Sequence, residues 1–229
     1  MAAGNHLFFE RYDSEAPSSI EFRRLFSRLK YRQAGKPFSP LLVTSSKHEE
    51  GKTTTAAFLA LTIARQEEGP VLLVDMDLHR PRIHRFFGLP VQGGVSELMQ
   101  GVAALKDVAK STPQKNLDIL TSGRIVRSPS ALFDPAQIRA FLDSLAASYS
   151  VVVLDSPPLV PVSDTMLLST EVAAVLFVIM AGKTPREVVL RGKALLEDVN
   201  APLAGVVINN TKGVLPYYYN HKYYGYRRK

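Results

Sequence analysis

Short apolar runs alternating with stretches of helical period constrain this chain most. Leu41-Leu42-Val43-Thr44, Val71-Leu72-Leu73-Val74, Leu117 to Leu120, Val151-Val152-Val153-Leu154, Val172 to Met180 and Leu203 to Ile208 read as buried strands. Between them, Thr53 to Gln66 reads as a helix with Ala57, Leu59, Ala60, Ile63 and Ala64 inward. Pro135 to Ser148 is a second helix, with Asp134 as its cap and Pro135 at its first position. Arg186 to Val199 is a third. Strands apolar on both faces must be covered on both faces. The pattern therefore predicts an α/β fold, a mostly parallel β-sheet with helices on each side. Ligands of such sheets bind beyond the carboxyl ends of the strands.

An earlier helix is expected from Ser18 or Ser19, either able to cap it, to about Gln33. Its stripe is Ile20, Phe22, Leu25, Phe26 and Leu29, and Gly35-Lys36-Pro37 stops it. Three units follow: a flexible N-terminus over residues 1–17, one domain over 18–211 and a tail over 212–229.

Composition narrows the class. With 46% hydrophobic and 21% charged residues, the chain has the balance of a globular protein rather than a disordered one. The longest uncharged apolar run, Val172 to Ala181, is half the roughly 20 residues of a membrane helix. No basic-then-apolar leader opens the sequence, and a cytoplasmic protein is expected. The absence of cysteine excludes disulfides, iron–sulfur clusters and zinc–thiolate sites. The net charge of +7 is concentrated at the ends: five basic residues and no acid from Lys212 to Lys229, six basic residues and one acid from Glu21 to Lys36. Basic ends suit an anionic partner; solvated helix faces are the plain alternative.

Between the first strand and its helix lies Ser45-Ser46-Lys47-His48-Glu49-Glu50-Gly51-Lys52-Thr53-Thr54. It matches G-x-x-x-x-G-K-[ST] with Ser46 in place of the first glycine. In such a loop, backbone N–H groups at a helix N-terminus surround phosphates. Lys52 would reach the β/γ-phosphates and the Thr53 hydroxyl would bind Mg²⁺. An ordinary strand–helix turn with a surface lysine is the alternative, but the strand before and the helix after favour a P-loop NTPase fold. The loop's candidate nucleotide-binding residues are Ser46, Lys47, Glu50, Gly51, Lys52, Thr53 and Thr54. His48, Glu49 and Glu50 replace small residues. Carboxylates beside a triphosphate repel it, so these side chains are expected to point to solvent, with weaker nucleotide affinity as a consequence.

Two further strands end in acids: Val71 to Val74 runs into Asp75-Met76-Asp77, and Val151 to Leu154 into Asp155-Ser156-Pro157-Pro158. A strand-ending aspartate alone is most often a turn former. Beside a P-loop, the three can divide the work of assisting a metal and accepting a proton.

With these motifs the chain resembles the bacterial tyrosine kinases that govern capsule and exopolysaccharide synthesis. The likeness runs from about Ile20 to Thr211 and into the tail. Its second motif is Val71 to Pro81, aspartates two apart and then Arg80-Pro81, with His79 where the family usually has arginine; its third is Val153 to Pro158. Thr121-Ser122-Gly123, Ser128-Pro129-Ser130-Ala131-Leu132, Ser163-Asp164 and Gly205 to Asn209 also fit. The resemblance implies that Lys52 and Thr53 hold phosphates and Mg²⁺, that Asp77 and Asp155 assist the metal, that Asp75 takes the tyrosine proton, and that Asn209 lies near the adenine. It also makes the C-terminal Tyr217, Tyr218, Tyr219, Tyr223, Tyr224 and Tyr226 phosphoacceptors. By residue type alone, such a tail could equally stack on nucleic-acid bases; beside the kinase motifs, no nucleic acid is expected. Glu21 and Arg24 fit the family's E-x-x-R-x-x-R ring-assembly motif, with Ser27 at the second arginine's place and Arg28 one residue late.

The expected protein is thus an ATP- and Mg²⁺-dependent tyrosine autokinase of the cytoplasm. It would sit peripherally at the inner face of the membrane through a membrane-embedded activator or polysaccharide co-polymerase, and form a homo-oligomeric ring when unphosphorylated. Two rivals stand beside this. One is a Min/Par-type positioning ATPase, which Lys47 suits as that group's extra lysine. The other is a catalytically weak, nucleotide-gated scaffold, which the substitutions at His48, Glu49 and His79 suit.

Overall fold

The structure is a computed structural model that describes residues 12–32 and 38–211. Its elements in chain order are α1 (Pro17–Arg32), β1 (Leu41–Ser45), α2 (Lys52–Gln66), β2 (Val71–Asp75), α3 (Ile83–Phe87), α4 (Val95–Met99), α5 (Leu105–Val108), β3 (Lys110–Ser111) and β4 (Leu117–Leu120). A 3₁₀ turn (Pro129–Leu132), α6 (Pro135–Ala146), β5 (Val151–Asp155), α7 (Asp164–Thr170), β6 (Ala174–Met180), α8 (Arg186–Asp198) and β7 (Leu203–Asn209) follow. The strands form one sheet in the order β3-β4-β2-β5-β1-β6-β7. Every pairing is parallel except the short β3 with β4.

Alternation along each strand divides the core into two layers. Leu41, Val43, Leu73, Val153 and Leu176 pack against α1 and α2. Leu42, Leu72, Val74, Val152, Leu154 and Phe177 face Ile138, Phe141, Leu142 and Leu145 of α6 and Leu196 of α8. Both faces of the central strands are dry, which explains why their sequences show no polar alternation.

The expected strands and long helices are present, with ends moved by one or two residues. The strand expected from Val172 begins at Ala174. Helix α1 starts at Pro17, so neither serine caps it; Ser19 Oγ instead donates to Asp13 O at 2.5 Å. The expectation of a loose segment through residue 17 is corrected from Tyr12 onward. Tyr12 is buried, its ring stacks on Phe58 and sits under Arg65, and Arg23 donates to Ser14 O. Among the described residues no helix is long and apolar enough to cross a membrane. The tail tyrosines lie outside the described residues.

Candidate active site

The parallel order brings the carboxyl ends of β1, β2 and β5 together, because β5 lies between β1 and β2. Asp75 and Asp155 are register partners on adjacent strands, and Val43 of β1 pairs with Asp155 on the other side. The chain enters the phosphate loop at the end of β1 and leaves it into α2, whose first residue is Lys52.

Backbone geometry explains the glycine of the loop. Gly51 has φ 91°, the left-handed region open to glycine. A Cβ there would also fall 2.1 Å from Asn209 Nδ2. That amide donates to Glu50 O at 3.0 Å, so the end of β7 holds the loop from one side. Ser46 is fully buried, and Gly192 of α8 makes room for it: a Cβ at Gly192 would come within 2.7 Å of Ser46 Oγ and 2.9 Å of the Phe177 ring. Lys47 is half-buried and its Nζ donates to Lys183 O at 3.5 Å. Thr53 is buried at the start of α2; Thr54 is exposed.

Of the two carboxylates expected to face water, Glu49 does, its side chain 78% exposed, and Glu50 does not. His48 is half-buried, and burial and then the Arg80 charge lower its pKa. Glu50 is 1% exposed and turned inward: Oε2 accepts from Lys47 N at 2.7 Å and Oε1 accepts from the Thr184 hydroxyl.

The three aspartates occupy different surroundings. Asp77 accepts from Lys52 Nζ at 3.1 Å and from Arg80 N at 2.9 Å. Asp75 has no exposed surface; it accepts from Asp77 N, Arg82 N and Ile83 N, clamping the turn into α3. Burial, then the Asp155 charge, holds its pKa well above the ordinary carboxyl range despite these donors. Burial likewise raises Asp155 to about 6, against the lowering effect of Lys52. His79 bonds Asp164 of α7 at 2.9 Å.

Both oxygens of Asp155 are buried and neither is within hydrogen-bond geometry of a donor, although the Thr53 side chain, after Lys52, lowers its pKa. A buried, unsatisfied carboxylate is costly, and a hard cation satisfies it with oxygen ligands. Among the described residues no cluster of three or more His, Asp or Glu forms a complete metal cage. Mg²⁺ needs no such cage, since it binds through one or two protein oxygens plus substrate phosphates and water. Asp155, Thr53 and Asp77 are the residues that would hold it; here Asp77 accepts from Lys52 Nζ.

A family model described as ParA, NUBPL iron-transfer P-loop NTPase, matches residues 39–227. Tyrosine-protein kinase YwqD of Bacillus subtilis (strain 168) is 29% identical over 91% of this chain and 86% of its own length. The solved structure of the chimerical protein CapA2B2 is 32% identical, with a TM-score of 0.82 over 88% of both chains. The chain is a ParA-type P-loop NTPase of the bacterial tyrosine-kinase family. The kinase domain of Escherichia coli tyrosine kinase ETK agrees, at 27% identity and a TM-score of 0.80 over 90% of this chain and 82% of that one.

Membership of the bacterial tyrosine-kinase family carries nucleotide binding with the P-loop fold. The sequence motifs brought Lys52, Thr53, Asp75, Asp77 and Asp155 to one end of the sheet. They gave no sign of Thr184 or Gly192, which act on the loop from α8 and the turn before it.

Proposed function

We propose that this chain is an ATP- and Mg²⁺-dependent protein-tyrosine autokinase that phosphorylates the tyrosine cluster of its own tail, between subunits. The observation that carries the reading is Asp155: a buried carboxylate with two unpartnered oxygens, beside the Asp75 clamp and the Lys52–Asp77 pair. In the proposed step a tyrosine Oη attacks the γ-phosphorus, the bond to the β,γ-bridging oxygen breaks, and ADP leaves with that electron pair. Lys52 follows the β/γ-phosphates, exchanging Asp77 for a phosphate oxygen. The backbone N–H groups at the start of α2 hold the phosphates still, and positioning of this kind supplies most of such catalysis. Bound Mg²⁺ would offset charge on the phosphates. Asp75 takes the tyrosine proton; its enclosure makes it a stronger base, and one oxygen must turn from its backbone donors to do so, Oδ1 from Asp77 N or Oδ2 from Arg82 N and Ile83 N. Asn209, tied to the loop backbone, would border the nucleotide.

The same reading has the kinase regulating polysaccharide polymerisation or export under a membrane-embedded activator, at the inner face of the membrane, as a ring when unphosphorylated. In α1, Glu21 and Arg24 of the ring-type motif pair with each other at 2.6 Å. Intact-mass measurement of the protein with and without Mg-ATP tests the activity. Phosphotyrosine in the tail supports it. Hydrolysis without phosphotyrosine favours the Min/Par-type ATPase, and neither activity favours the scaffold.

A further inference from the structure

We propose that Thr184, acting through Glu50, is a positioning residue for the nucleotide. The proposal rests on the nucleotide-binding reading of the loop and goes beyond its motif. Glu50 is a buried carboxylate with no ion pair among the described residues. Hydrogen bonds alone stabilise it, and each oxygen has a different donor. Oε2 bridges back across the loop to Lys47 N, closing residues 47–50 into a ring. Oε1 is held by the Thr184 hydroxyl from the turn between β6 and α8. The same turn accepts Lys47 Nζ through Lys183 O, and Asn209 holds the Glu50 carbonyl.

The consequence is electrostatic as well as geometric. A negative side chain sits one residue before Gly51-Lys52-Thr53, where phosphates are to bind. With both oxygens engaged, it is fixed on the Lys47 side of the loop. Without the Thr184 hydroxyl one oxygen is released. The carboxylate can then swing toward the incoming phosphates, and the Lys47–Lys183 contact is the loop's remaining bond to that turn among those described. Both effects weaken ground-state binding of nucleotide and leave the transfer chemistry at Lys52, Asp75 and Asp155 untouched.

The test is titration of the full chain with Mg²⁺ and a fluorescent methylanthraniloyl-ADP, alongside kcat and KM for ATP in phosphotyrosine formation. Thr184→Val keeps the shape and removes the hydroxyl; Thr184→Ser keeps the hydroxyl. Loss of a charge-assisted hydrogen bond predicts roughly ten-fold weaker ADP binding and a similar rise in KM for Thr184→Val. It also predicts kcat within about two-fold and near wild-type values for Thr184→Ser. Unchanged ADP affinity in Thr184→Val, a defect that serine does not restore, or a fall in kcat at constant KM overturns the proposal. If Thr184→Val does not fold, Thr184→Ala carries the same comparison. Absence of phosphotyrosine from every protein, wild type included, counts against the kinase reading, and the ADP titration still decides this one.

Discussion

Lys52 Nζ lies 3.1 Å from Asp77 Oδ2, and the two side chains are 9% and 3% exposed. The lysine proposed to meet phosphate is therefore already held by an internal carboxylate. A nucleotide must displace a carboxylate to reach it. Pairing also offsets part of the cost of burying the two side chains.

That pair makes the usual lysine substitution unclean. Lys52→Met should abolish phosphotyrosine and also leave Asp77 buried without its cation, at a cost of about 3–5 kcal/mol. The double variant Lys52→Met/Asp77→Asn should recover much of the stability and none of the activity. Urea denaturation checks the first effect and intact mass the second; equal stability of the two variants would remove the pair as a structural element.

Asp155 links stability to pH. Its pKa is about 6 in the folded chain against an ordinary 3.8, so between those values the folded state binds the extra proton. Its stabilising contribution is full below about 3.8 and is lost as pH rises through about 6. Asp75 is shifted in the same direction. Nucleotide-free Asp155→Asn should be more stable than wild type at pH 7, the advantage shrinking toward pH 4. Mg-nucleotide, which favours the ionised carboxylate, should bind wild type more tightly as pH rises through 6. Denaturation and ADP titration across that window test both; a wild type more stable than the variant at pH 7 would reverse the argument.

Asp75 separates binding from transfer. Asp75→Asn keeps one oxygen for Arg82 N and Ile83 N but sets an N–H against Asp77 N. Nucleotide affinity should change by less than about three-fold, while phosphotyrosine formation falls by roughly 10²-fold or more, the range of a lost general base. Unchanged transfer would remove Asp75 as the proton acceptor.

The tail, outside the described residues, carries its own test. A segment of about 16 residues spans roughly 50 Å when extended, enough to reach a neighbouring subunit. Each phosphate adds about −1.5 to −2 charges, so about three cancel the tail's basic residues. Deleting residues 214–229 should remove most phosphotyrosine and spare ATP binding. Light scattering should find an oligomer for Lys52→Met and a monomer for the multiply phosphorylated wild type; equal masses would sink the switch.

Much of this molecule was legible in its sequence where one physical cause dominates. Val71–Asp75 and Val151–Asp155 are strands because they open with short Val/Leu runs apolar on both faces, and Asp134 caps α6 as expected, accepting from Ala136 N and Gln137 N. The segment from Ile83 to Ser111 was not legible. Its helices are four or five residues long, and α4 starts on bonds to Thr121 O and Ser122 O, 26 residues further on. Glu50 misled for a related reason: a charged side chain reads as solvent-facing until Thr184, 134 residues away, supplies its donor. Local pattern reports what neighbours in sequence do; it is blind to a hydrogen bond across the fold.

The fit of Ser46 against Gly192 ties together two positions 146 residues apart. A serine at the head of the loop fills space that a side chain on α8 would need, so neither residue can change freely without the other. Descendants of this chain that enlarge position 192 would first need room from both Ser46 and the Phe177 ring. A change on α8 is then gated by two earlier ones, whatever its own selective advantage.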